Sequence, residues 1–469
     1  MINLNIFFLY IFSLSVDLYS QNLEFNSFDP DFHKSRRDLL RESLPDNSVS
    51  VFFSYPEQYV SNNQKYKYRQ DSNFYYLSGL NEPNSVLVIF SNNQIDSIGE
   101  FNEIIFVQEK SEYNNLWESN RIGLDSSKKL GIQRVKSRTE FISQHIDYNV
   151  FKNLYFFEFR DDIRDNKKDK FDLFDLVNYF KSKINFKLNK SNSNSKVLLK
   201  IMNGLRESKT LKEINLLKRA IQITSVGHIE VMKAVRPGMS EREVQGIHEF
   251  IHKKFGIENE GFPPIIGSGN NGCILHYNKN NDYLKNNELI LMDVGAEYMG
   301  YSADITRTIP INGIFNSEQK KIYEIVYNAQ EAGINQAIIN NTYKDIHSAS
   351  FRIIEEGLLE LNIINDRKDA KIYFPHGSTH HIGLDVHDSS NYGPYSENAV
   401  ITVEPGIYIP IGSNCDRKWW GIAIRIEDDI LITKNGPKVL SDRVPKKINE
   451  IEELMKSKSV LNNFIVPNI

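Results

Sequence analysis

Residues 289–308 read LILMDVGAEYMGYSADITRT, and this stretch decides the fold of the second half of the chain. An apolar run brings in Asp293, a glycine-bounded turn follows, and an alternating run brings in Asp304. The pattern predicts two strands joined as a hairpin. With a turn centred on Tyr298 and Met299, the two aspartates would face each other with Cβ atoms about 5 Å apart. Such a pair of like charges indicates either a cation between them or a solvated hairpin end.

Three other charged residues stand in apolar segments further along the chain. Glu404 ends the β-branched run of VITVEPGIYI (400–409), and Arg425 and Glu427 alternate with isoleucines in GIAIRIEDDILIT (421–433). Alternate residues of a strand share a face, so Arg425 and Glu427 are predicted to point the same way inside an aliphatic strand. Taken singly, Glu404 is typical of a solvated strand end, and the Arg425 and Glu427 pair is typical of a structural ion pair.

Histidines concentrate in one segment of the chain. FPHGSTHHIGLDVHD (374–388) holds four of the eleven histidines, namely His376, His380, His381 and His387. A single histidine is usually structural, but four beside glycines indicate a functional site. His276 stands apart, at the end of the polar loop GSGNNGCILHY (267–277), and a lone histidine of this kind is most often structural.

The four acids together require positive charge. If Asp293, Asp304, Glu404 and Glu427 converge on an apolar sheet, they must be paired or bind metal, because bare buried charges are strongly unfavourable. Two divalent cations would neutralise four carboxylates, and a neutral histidine would complete the ligand shell. Oxygen ligands with one imidazole favour Mn²⁺, with Co²⁺, Fe²⁺ and Zn²⁺ as alternatives. A metal pair about 3.5–4 Å apart activates a shared water and polarises a carbonyl, which predicts a hydrolase.

The chain divides into a first α/β domain and a second domain in which helix pairs precede strand-like segments. Residues 28–186 alternate helical patterns with short β-rich runs such as SVLVIF (85–90). The Asn-, Ser- and Lys-rich segment KLNKSNSNSK (187–196) predicts a linker, which we place at 187–204. The second domain is predicted to span 205–455, and 456–469 is predicted to be a tail.

Helix signals recur in pairs within the second domain. Thr210 with Glu213, and Ser240 with Glu243, match the S/T-x-x-E capping box ahead of apolar residues at helical spacing. Two more helices are predicted at 317–338 and 343–363. Each helix pair precedes a loop with glycine and histidine and then strand-like segments with acids. This order of elements predicts a duplicated half-unit.

The N-terminus and the composition limit location and partners. Residues 6–16 (IFFLYIFSLSV) form an apolar run too short to cross a bilayer of about 30 Å. The run predicts a signal peptide at 1–20 and a periplasmic or secreted protein, and a buried strand or plain tail in a cytoplasmic protein is the alternative. No other stretch predicts a membrane span, and a net charge of −4 is unlike that of a nucleic-acid binder. Cys273 and Cys415 fit neither a disulfide framework nor a CxxC motif.

The motifs together resemble the aminopeptidase P branch of the pita-bread metallopeptidase family, which also contains prolidase, creatinase and methionine aminopeptidase. The resemblance covers about 28–455, and YRQDSNFYYLSGLNEPNSVLV (68–88) carries it in the first domain. In the second domain it is carried by IIGSGNNGCILHY, MDVGAEYMGYSADITRT, HHIGLDVHD, TVEPGIYI and GIAIRIEDD. It implies an α/β N-terminal domain followed by an α+β pita-bread (creatinase/aminopeptidase) catalytic domain.

The resemblance also implies roles for individual residues. The five metal ligands of the family fall on Asp293, Asp304, His380, Glu404 and Glu427. His276 and His387 match histidines that contact the substrate and the developing transition state, and His376 matches a further pocket histidine. Arg425 matches an arginine that orients its acidic neighbours, and Tyr408 is an expected member of the pocket. Among the ligands, Glu404 also handles the proton of the reaction.

The implied activity is hydrolysis of the N-terminal Xaa-Pro bond by an enzyme with two divalent ions, with Mn²⁺ expected. Peptides with proline at the second position are the expected substrates, and a homo-oligomer, a dimer or a tetramer, is the expected assembly. Prolidase, which accepts only Xaa-Pro dipeptides, is the nearest alternative. A non-catalytic peptide-binding protein on the same scaffold is another, although all five ligand types are retained. Methionine aminopeptidase is disfavoured because a full domain precedes the linker.

Overall fold

The computed structural model describes residues 30–62, 64–110, 121–144, 146–184 and 191–463. The predicted signal peptide and the end of the predicted tail lie outside these ranges. The chain divides into two compact units. The first is made of Met1–Leu154 and Phe159–Leu188, and the second is made of Tyr155–Glu158 and Asn189–Ile469.

The first unit is organised around one mixed sheet. The strands that begin in this unit are β1 Ser48–Phe53, β2 Tyr59–Ser61, β3 Gln64–Lys65, β4 Val86–Asp96, β5 Gly99–Val107, β6 Arg134–Ser137 and β7 Asn153–Tyr155. The order in the main sheet is β6-β5-β4-β1-β7. Strands β1, β4 and β5 pair antiparallel, whereas β5 and β6 pair parallel. The predicted α/β organisation is therefore confirmed, with a mostly antiparallel sheet.

Helices and aromatic side chains complete the first unit. Its helices are α1 Pro30–Ser43, α2 Ser72–Ser78, α3 Gly123–Ser127, α4 Arg138–Ser143 and α5 Leu173–Ile184. Phe53 of the sheet makes edge-to-face contacts with Phe141 of α4 and Phe180 of α5. Both helix phenylalanines are buried, as are the sheet residues Leu87 and Ile105. Burial of these apolar side chains is the main stabilisation of the unit.

The second unit contributes the longer helices. They are α6 Ser191–Glu207, α7 Leu211–Ala234, α8 Glu241–Lys254, α9 Ser317–Ile334, α10 Tyr343–Glu360, α11 Ala370–Tyr373 and α12 Ile448–Leu454. Both predicted capping boxes form, at Thr210 ahead of α7 and at Ser240 ahead of α8. Helices α9 and α10 begin where the sequence predicts and end a few residues earlier.

The linker prediction differs from the structure. Most of the predicted linker belongs to helix α6, and Leu198 and Met202 of that helix are fully buried. These residues are four apart and share one face of the helix. The Asn- and Ser-rich composition of the first half of the segment concealed this apolar face.

The strands of the second unit form small antiparallel sheets. They are β8 Asn259–Glu260, β9 Ile265–Ser268, β10 Leu289–Val294, β11 Ala296–Tyr298, β12 Tyr301–Ser302, β13 Ile305–Pro310, β14 Val400–Val403, β15 Gly406–Ile409, β16 Ile422–Arg425, β17 Asp428–Thr433 and β18 Gly436–Val439. Sheet orders among the described residues are β13-β10-β9, β12-β11-β8, β14-β17-β18 and β15-β16. Helices α7 and α8 precede the first of these sheets, and α9 and α10 precede the third. This order matches the predicted repetition of a half-unit.

One predicted strand is two strands in the structure. Residues 421–433 contain β16 and β17, with Ile426 and Glu427 between them. Strand β16 pairs with β15, and β17 pairs with β14. Glu427 therefore stands at the junction of two sheets rather than inside one strand. Within the part of the chain that the structure describes, every helix is too short or too polar to traverse a bilayer.

Candidate metal centre

The hairpin that carries the two aspartates forms in a different register from the predicted one. Asp293 pairs with Thr306, and Tyr298 pairs with Tyr301, so the turn is centred on Met299 and Gly300. Both turn residues have positive φ, 50° and 85°, as a tight two-residue hairpin turn with the favoured twist requires. The predicted turn at Tyr298 and Met299 was wrong because only the Met-Gly pair supplies a glycine at the second position. The two aspartates are therefore not direct partners, since Asp293 pairs with Thr306 and Asp304 lies between β12 and β13.

The two remaining carboxylates arrive from the other sheets. Glu404 follows β14, and its backbone N–H donates to the carbonyl of Ser378 at 2.8 Å. Glu427 stands between β16 and β17, and its Oε2 accepts a 2.6 Å hydrogen bond from the Thr306 hydroxyl. All four predicted acids line one cavity of about 590 Å³. We call Asp293, Asp304, Glu404 and Glu427 the carboxylate cluster.

His380 stands among these acids. Its Nε2 lies 3.4 Å from Asp304 Oδ2 and 3.5 Å from Glu404 Oε1. Asp304, His380 and Glu427 each offer a ligand atom, and the three atoms lie within 4.8 Å of one another. The Nδ1 of His380 is within 3.0 Å of the His381 carbonyl, which leaves Nε2 to face the acids. A backbone partner on one ring nitrogen is the usual way to orient a metal-binding histidine.

Arg425 is the only arginine or lysine lining the cavity among the described residues. Its Nη2 donates to Asp293 Oδ2 at 2.6 Å, and its Nε donates to the Thr306 hydroxyl at 3.1 Å. Its Nη1 lies 2.8 Å from the Tyr408 hydroxyl. One guanidinium thus holds one carboxylate of the cluster and leaves the other three without a protein cation.

The pKa values show that the acids repel one another. Burial, and next the charge of Glu427, raises the pKa of Asp304 well above its usual value. Burial and Glu427 likewise raise the pKa of Glu404. Burial and Asp293 raise the pKa of Glu427 to about 8, against the opposing effect of Arg425. Without further positive charge, the cluster holds protons that isolated carboxylates would release near neutral pH.

These donors fit divalent cations. Asp293 Oδ1 and Asp304 Oδ1 are buried and have no hydrogen-bond partner among the described residues. Orphaned carboxylate oxygens are costly, and a metal ion would satisfy them. Burial lowers the pKa of His380 to about 4, so the imidazole is neutral and able to bind metal at physiological pH.

The predicted substrate histidines lie in the same cavity. His276, His376 and His387 line it with the carboxylate cluster. The ring of His387 meets that of His380 at a centroid distance of 4.4 Å. Burial, with the charge of Arg425 next, lowers the pKa of His376 to about 3. The cavity thus holds these three imidazoles together with the carboxylate cluster.

Two residues singled out in the sequence stand outside the cavity lining. Tyr408 is buried behind the wall, where its hydroxyl lies 2.8 Å from both His376 Nε2 and Arg425 Nη1. His381 is buried and packs against Tyr395. Tyr408 therefore connects two residues of the site, and His381 contributes to the packing around it.

Sequence reasoning missed a second group of charges beside the cluster. Arg307 and Asp428 are fully buried and lie 2.6 Å apart, and Lys446 reaches the other oxygen of Asp428 at 3.1 Å. We call Arg307, Asp428 and Lys446 the ion-pair cluster. Arg307 also donates to the carbonyls of Thr306 and Glu427. Arg307 and Asp428 stand in the charged segments DITRT and EDD. No local pattern in the sequence indicates that residues more than a hundred positions apart form an ion pair.

The cavity also has an apolar wall that the sequence did not predict. Its residues include Phe262, Pro263, Ile265, Leu275 and Val386. Tyr343 and Tyr392 also line the cavity. Apolar lining with a few convergent polar groups is typical of a small-molecule or peptide site.

Two family models match the chain. The model described as "Metallopeptidase family M24" matches residues 215–434, and the one described as "Aminopeptidase P, N-terminal domain" matches residues 33–149. The first match contains the carboxylate cluster and the histidines.

Known proteins resemble the chain over most of its length. It is 34% identical over 445 residues to the Xaa-Pro aminopeptidase of Escherichia coli (strain K12), covering 90% of this chain and 96% of that protein. It is also 34% identical over 439 residues to the Xaa-Pro aminopeptidase of Haemophilus influenzae, with coverage of 90% and 96%. The solved structure of E. coli aminopeptidase P with the inhibitor Pro-Leu matches with a TM-score of 0.80 at 32% identity, covering 91% of this chain and 98% of that one.

Proposed function

The chain belongs to the Xaa-Pro aminopeptidase (aminopeptidase P) family of M24 metallopeptidases, and we propose that it removes the first residue from peptides whose second residue is proline. The observation that carries this proposal is the carboxylate cluster, which faces His380 in one cavity and lacks enough protein cations to balance it. A site of this kind suits metal-assisted hydrolysis.

Five residues would hold two divalent cations: Asp293, Asp304, His380, Glu404 and Glu427. When bound, two such ions activate a shared water and polarise the scissile carbonyl. Mn²⁺ is the proposed metal because four of the five ligands are carboxylates. Arg425 would hold Asp293 in position, since its guanidinium donates to one carboxylate oxygen and leaves the other oxygen for a metal ion.

The other polar groups would act on the substrate and on its protons. Glu404 would accept a proton from the attacking water and pass it to the leaving nitrogen. His276 and His387 would donate hydrogen bonds to the oxyanion that develops on the scissile carbonyl. His376, which is held by Tyr408, would line the substrate pocket.

A dedicated enzyme is useful because proline defeats ordinary peptide recognition. Proline has no backbone N–H and its ring fixes φ, so a peptidase that holds an extended backbone through that donor binds it poorly. The apolar wall around Phe262 and Leu275 offers a surface for a ring without a donor. Cleavage would be restricted to the N-terminus of a peptide because the free amine of the substrate would bind near Asp293.

Comparison of a tripeptide with a dipeptide tests this activity against prolidase. With Mn²⁺ titrated, we expect an Xaa-Pro-Yaa peptide to be cleaved faster than the Xaa-Pro dipeptide. Preference for the dipeptide would assign the chain to the prolidase activity instead. Binding of both peptides without turnover at any metal concentration would favour a non-catalytic peptide-binding protein.

The domain limits, location and assembly are also proposals. We propose an N-terminal domain at 28–186 and a catalytic domain at 205–455, with 456–469 as a tail. Export through a signal peptide at 1–20 is supported by the apolar run alone, and N-terminal sequencing of the native protein tests it. A dimer or tetramer is proposed from the family resemblance, and light scattering of the purified chain measures it.

A further inference from the structure

A buried glutamate away from the metal centre accepts hydrogen bonds from the loop that carries His276. Glu241 is the first residue of helix α8, and its side chain is fully buried. It accepts five hydrogen bonds, and every donor lies between residues 268 and 282. We call this segment the His276 loop.

The five hydrogen bonds divide between the two carboxylate oxygens. Oε1 accepts from the backbone N–H and the hydroxyl of Ser268, both at 2.8 Å, and from Asn271 Nδ2 at 3.0 Å. Oε2 accepts from the Tyr277 hydroxyl at 2.8 Å and from the backbone N–H of Asp282 at 2.9 Å. The start, the middle and the end of the His276 loop therefore converge on one carboxylate.

Glu241 acts only as an acceptor in these five hydrogen bonds. All five donors are neutral, and no lysine or arginine among the described residues forms an ion pair with Glu241. A carboxylate that only accepts can use all five donors at once. The N-terminus of helix α8 adds favourable partial charge at this position.

His276 itself lacks another anchor. Its side chain is exposed and makes no hydrogen bond to any described residue. The next residue, Tyr277, is buried and packs with Ile265 and Leu291 while its hydroxyl binds Glu241. The location of the His276 imidazole is therefore set by the backbone of its loop, and Glu241 holds that backbone.

We propose that Glu241 is a positioning residue for the reaction, which fixes the His276 loop so that the His276 imidazole reaches the scissile carbonyl. The inference rests on the proposed function, because it takes His276 to contact the substrate. Glu241 itself touches neither the cavity nor the carboxylate cluster among the described residues.

The substitution Glu241→Gln tests this role with almost no change in shape. An amide has one acceptor oxygen and one donor nitrogen. If the amide nitrogen takes the place of Oε1, the backbone N–H of Ser268 loses its acceptor. If it takes the place of Oε2, the backbone N–H of Asp282 loses its acceptor. Tyr277 can rotate its hydroxyl to adapt, but the backbone groups cannot.

A double-mutant cycle on kcat/KM provides the kinetic readout. In the wild-type background we expect Glu241→Gln to lower kcat/KM for an Xaa-Pro-Yaa peptide by about 10- to 100-fold, mainly through kcat, as expected when a reacting group is displaced by about 1 Å. In a His276→Ala background the same substitution should cost less than about three-fold. An equal loss in both backgrounds would overturn the proposal, since it would mean that Glu241 does not act through His276.

Two further variants provide the controls. Glu243→Gln changes another carboxylate in the same turn of α8. The Glu243 side chain is exposed and accepts the backbone N–H of Ser240 in the capping box. This substitution should leave kcat/KM unchanged. Tyr277→Phe removes one donor and keeps the carboxylate, so we expect a smaller loss, about five-fold, if Glu241→Gln proves too unstable to purify. A loss with Glu243→Gln as large as that with Glu241→Gln would contradict the proposal.

Hydrogen exchange tests the anchor independently of activity. We expect Glu241→Gln to accelerate amide exchange in the His276 loop, at Ser268 and Asp282 above all, and Glu243→Gln to leave that loop unchanged. Unchanged exchange in the loop of Glu241→Gln would overturn the anchor even if the enzyme cleaves Xaa-Pro peptides. Accelerated exchange in a chain that cleaves no such peptide would uphold the anchor and reject the proposed function.

Discussion

Glu427 and Asp428 are neighbours in sequence and both are buried, but they belong to two clusters with opposite electrostatics. Burial and Asp293 raise the pKa of Glu427 to about 8. Burial also pushes the pKa of Asp428 upward, but Arg307 and Lys446 outweigh it and hold that pKa below its usual value. The carboxylate cluster and the ion-pair cluster thus differ in whether arginine and lysine side chains balance the charge of their carboxylates.

This difference shows which part of the structure is complete in itself. The ion-pair cluster satisfies its own charges and fixes the backbone at Thr306 and Glu427 through Arg307. The carboxylate cluster lacks enough cations to balance its charge among the described residues, and the ion-pair cluster fixes the backbone next to it. Among the described residues, arginine and lysine pair with Asp428 and neither pairs with Asp304, which supports our proposal that Asp304 binds a cation.

The largest expected effect is on turnover. Glu404→Gln should lower kcat by about 10²- to 10⁴-fold, the usual contribution of a general acid or base, because the amide cannot carry the proton. The circular dichroism spectrum should stay as in the wild type. Glu397→Gln, which changes a partly exposed carboxylate paired with Lys434, is the control and should leave kcat unchanged. Substantial turnover by Glu404→Gln would remove this residue from the proposed mechanism.

Breaking the ion-pair cluster should lower the free energy of unfolding and not only the rate of catalysis. Arg307→Met leaves Asp428 buried and underpaired, so we expect the free energy of unfolding to fall by about 3–5 kcal/mol in a urea titration. Arg367→Met removes an exposed arginine that contacts Glu355 at the same 2.6 Å distance and should cost less than about 1 kcal/mol. Equal losses would mean that the burial of the pair is unimportant.

Metal addition should stabilise the carboxylate cluster. At a free Mn²⁺ concentration about 100 times its Kd, the free energy of unfolding should rise over the metal-free protein by about 2.7 kcal/mol for each ion bound. Calorimetric titration should find two Mn²⁺ per chain. Activity that survives exhaustive treatment with a strong chelator would contradict a metal-dependent site.

Two buried carboxylates, Glu427 of the carboxylate cluster and Asp388 outside both clusters, should respond oppositely to pH in metal-free protein. Glu427 has a folded pKa of about 8 against an ordinary 4.5, so the folded state keeps a proton that the unfolded chain has lost between these values. Stability should therefore fall as pH rises from about 4.5 to 8.

Asp388 provides the opposite case. Burial opposes ionisation, but Arg206 and Lys209 hold the pKa of Asp388 at about 2, against an ordinary 3.8. Its contribution is present above pH 3.8 and is lost as pH falls towards 2. Urea titrations of the metal-free protein at several pH values measure both trends. A flat profile between pH 4.5 and 8 would mean that burial and Asp293 do not raise the pKa of Glu427.

Much of the catalytic site could be predicted from the sequence because its residues stand in short, local motifs. The acids, His380 and the cavity histidines each belong to a segment of characteristic type, and the structure brings these segments to one cavity. The hairpin register could not be predicted with equal precision. Its turn depends on positive φ at Met299 and Gly300, and a shift of the turn by one residue changes every cross-strand partner.

Other features depend on long-range pairing that no local pattern contains. Arg307 and Asp428 lie 121 positions apart, and Glu241 acts on a loop that begins 27 positions later. The helix at Ser191–Glu207 was missed for a different reason, since its buried face consists of a few apolar residues in a polar segment. Tertiary packing, rather than composition, decides such cases.

The same substitution in the two clusters tests the central comparison most directly. Asp304→Asn and Asp428→Asn each replace a buried aspartate by its neutral isostere, and thermal unfolding with chelator and with Mn²⁺ measures the result. We expect Asp304→Asn to raise the Tm of the metal-free protein and to abolish most of the Mn²⁺-induced rise, whereas Asp428→Asn lowers the Tm under both conditions. A lower Tm for metal-free Asp304→Asn, together with a full rise on adding Mn²⁺, would show that the carboxylate cluster neither repels itself nor receives cations.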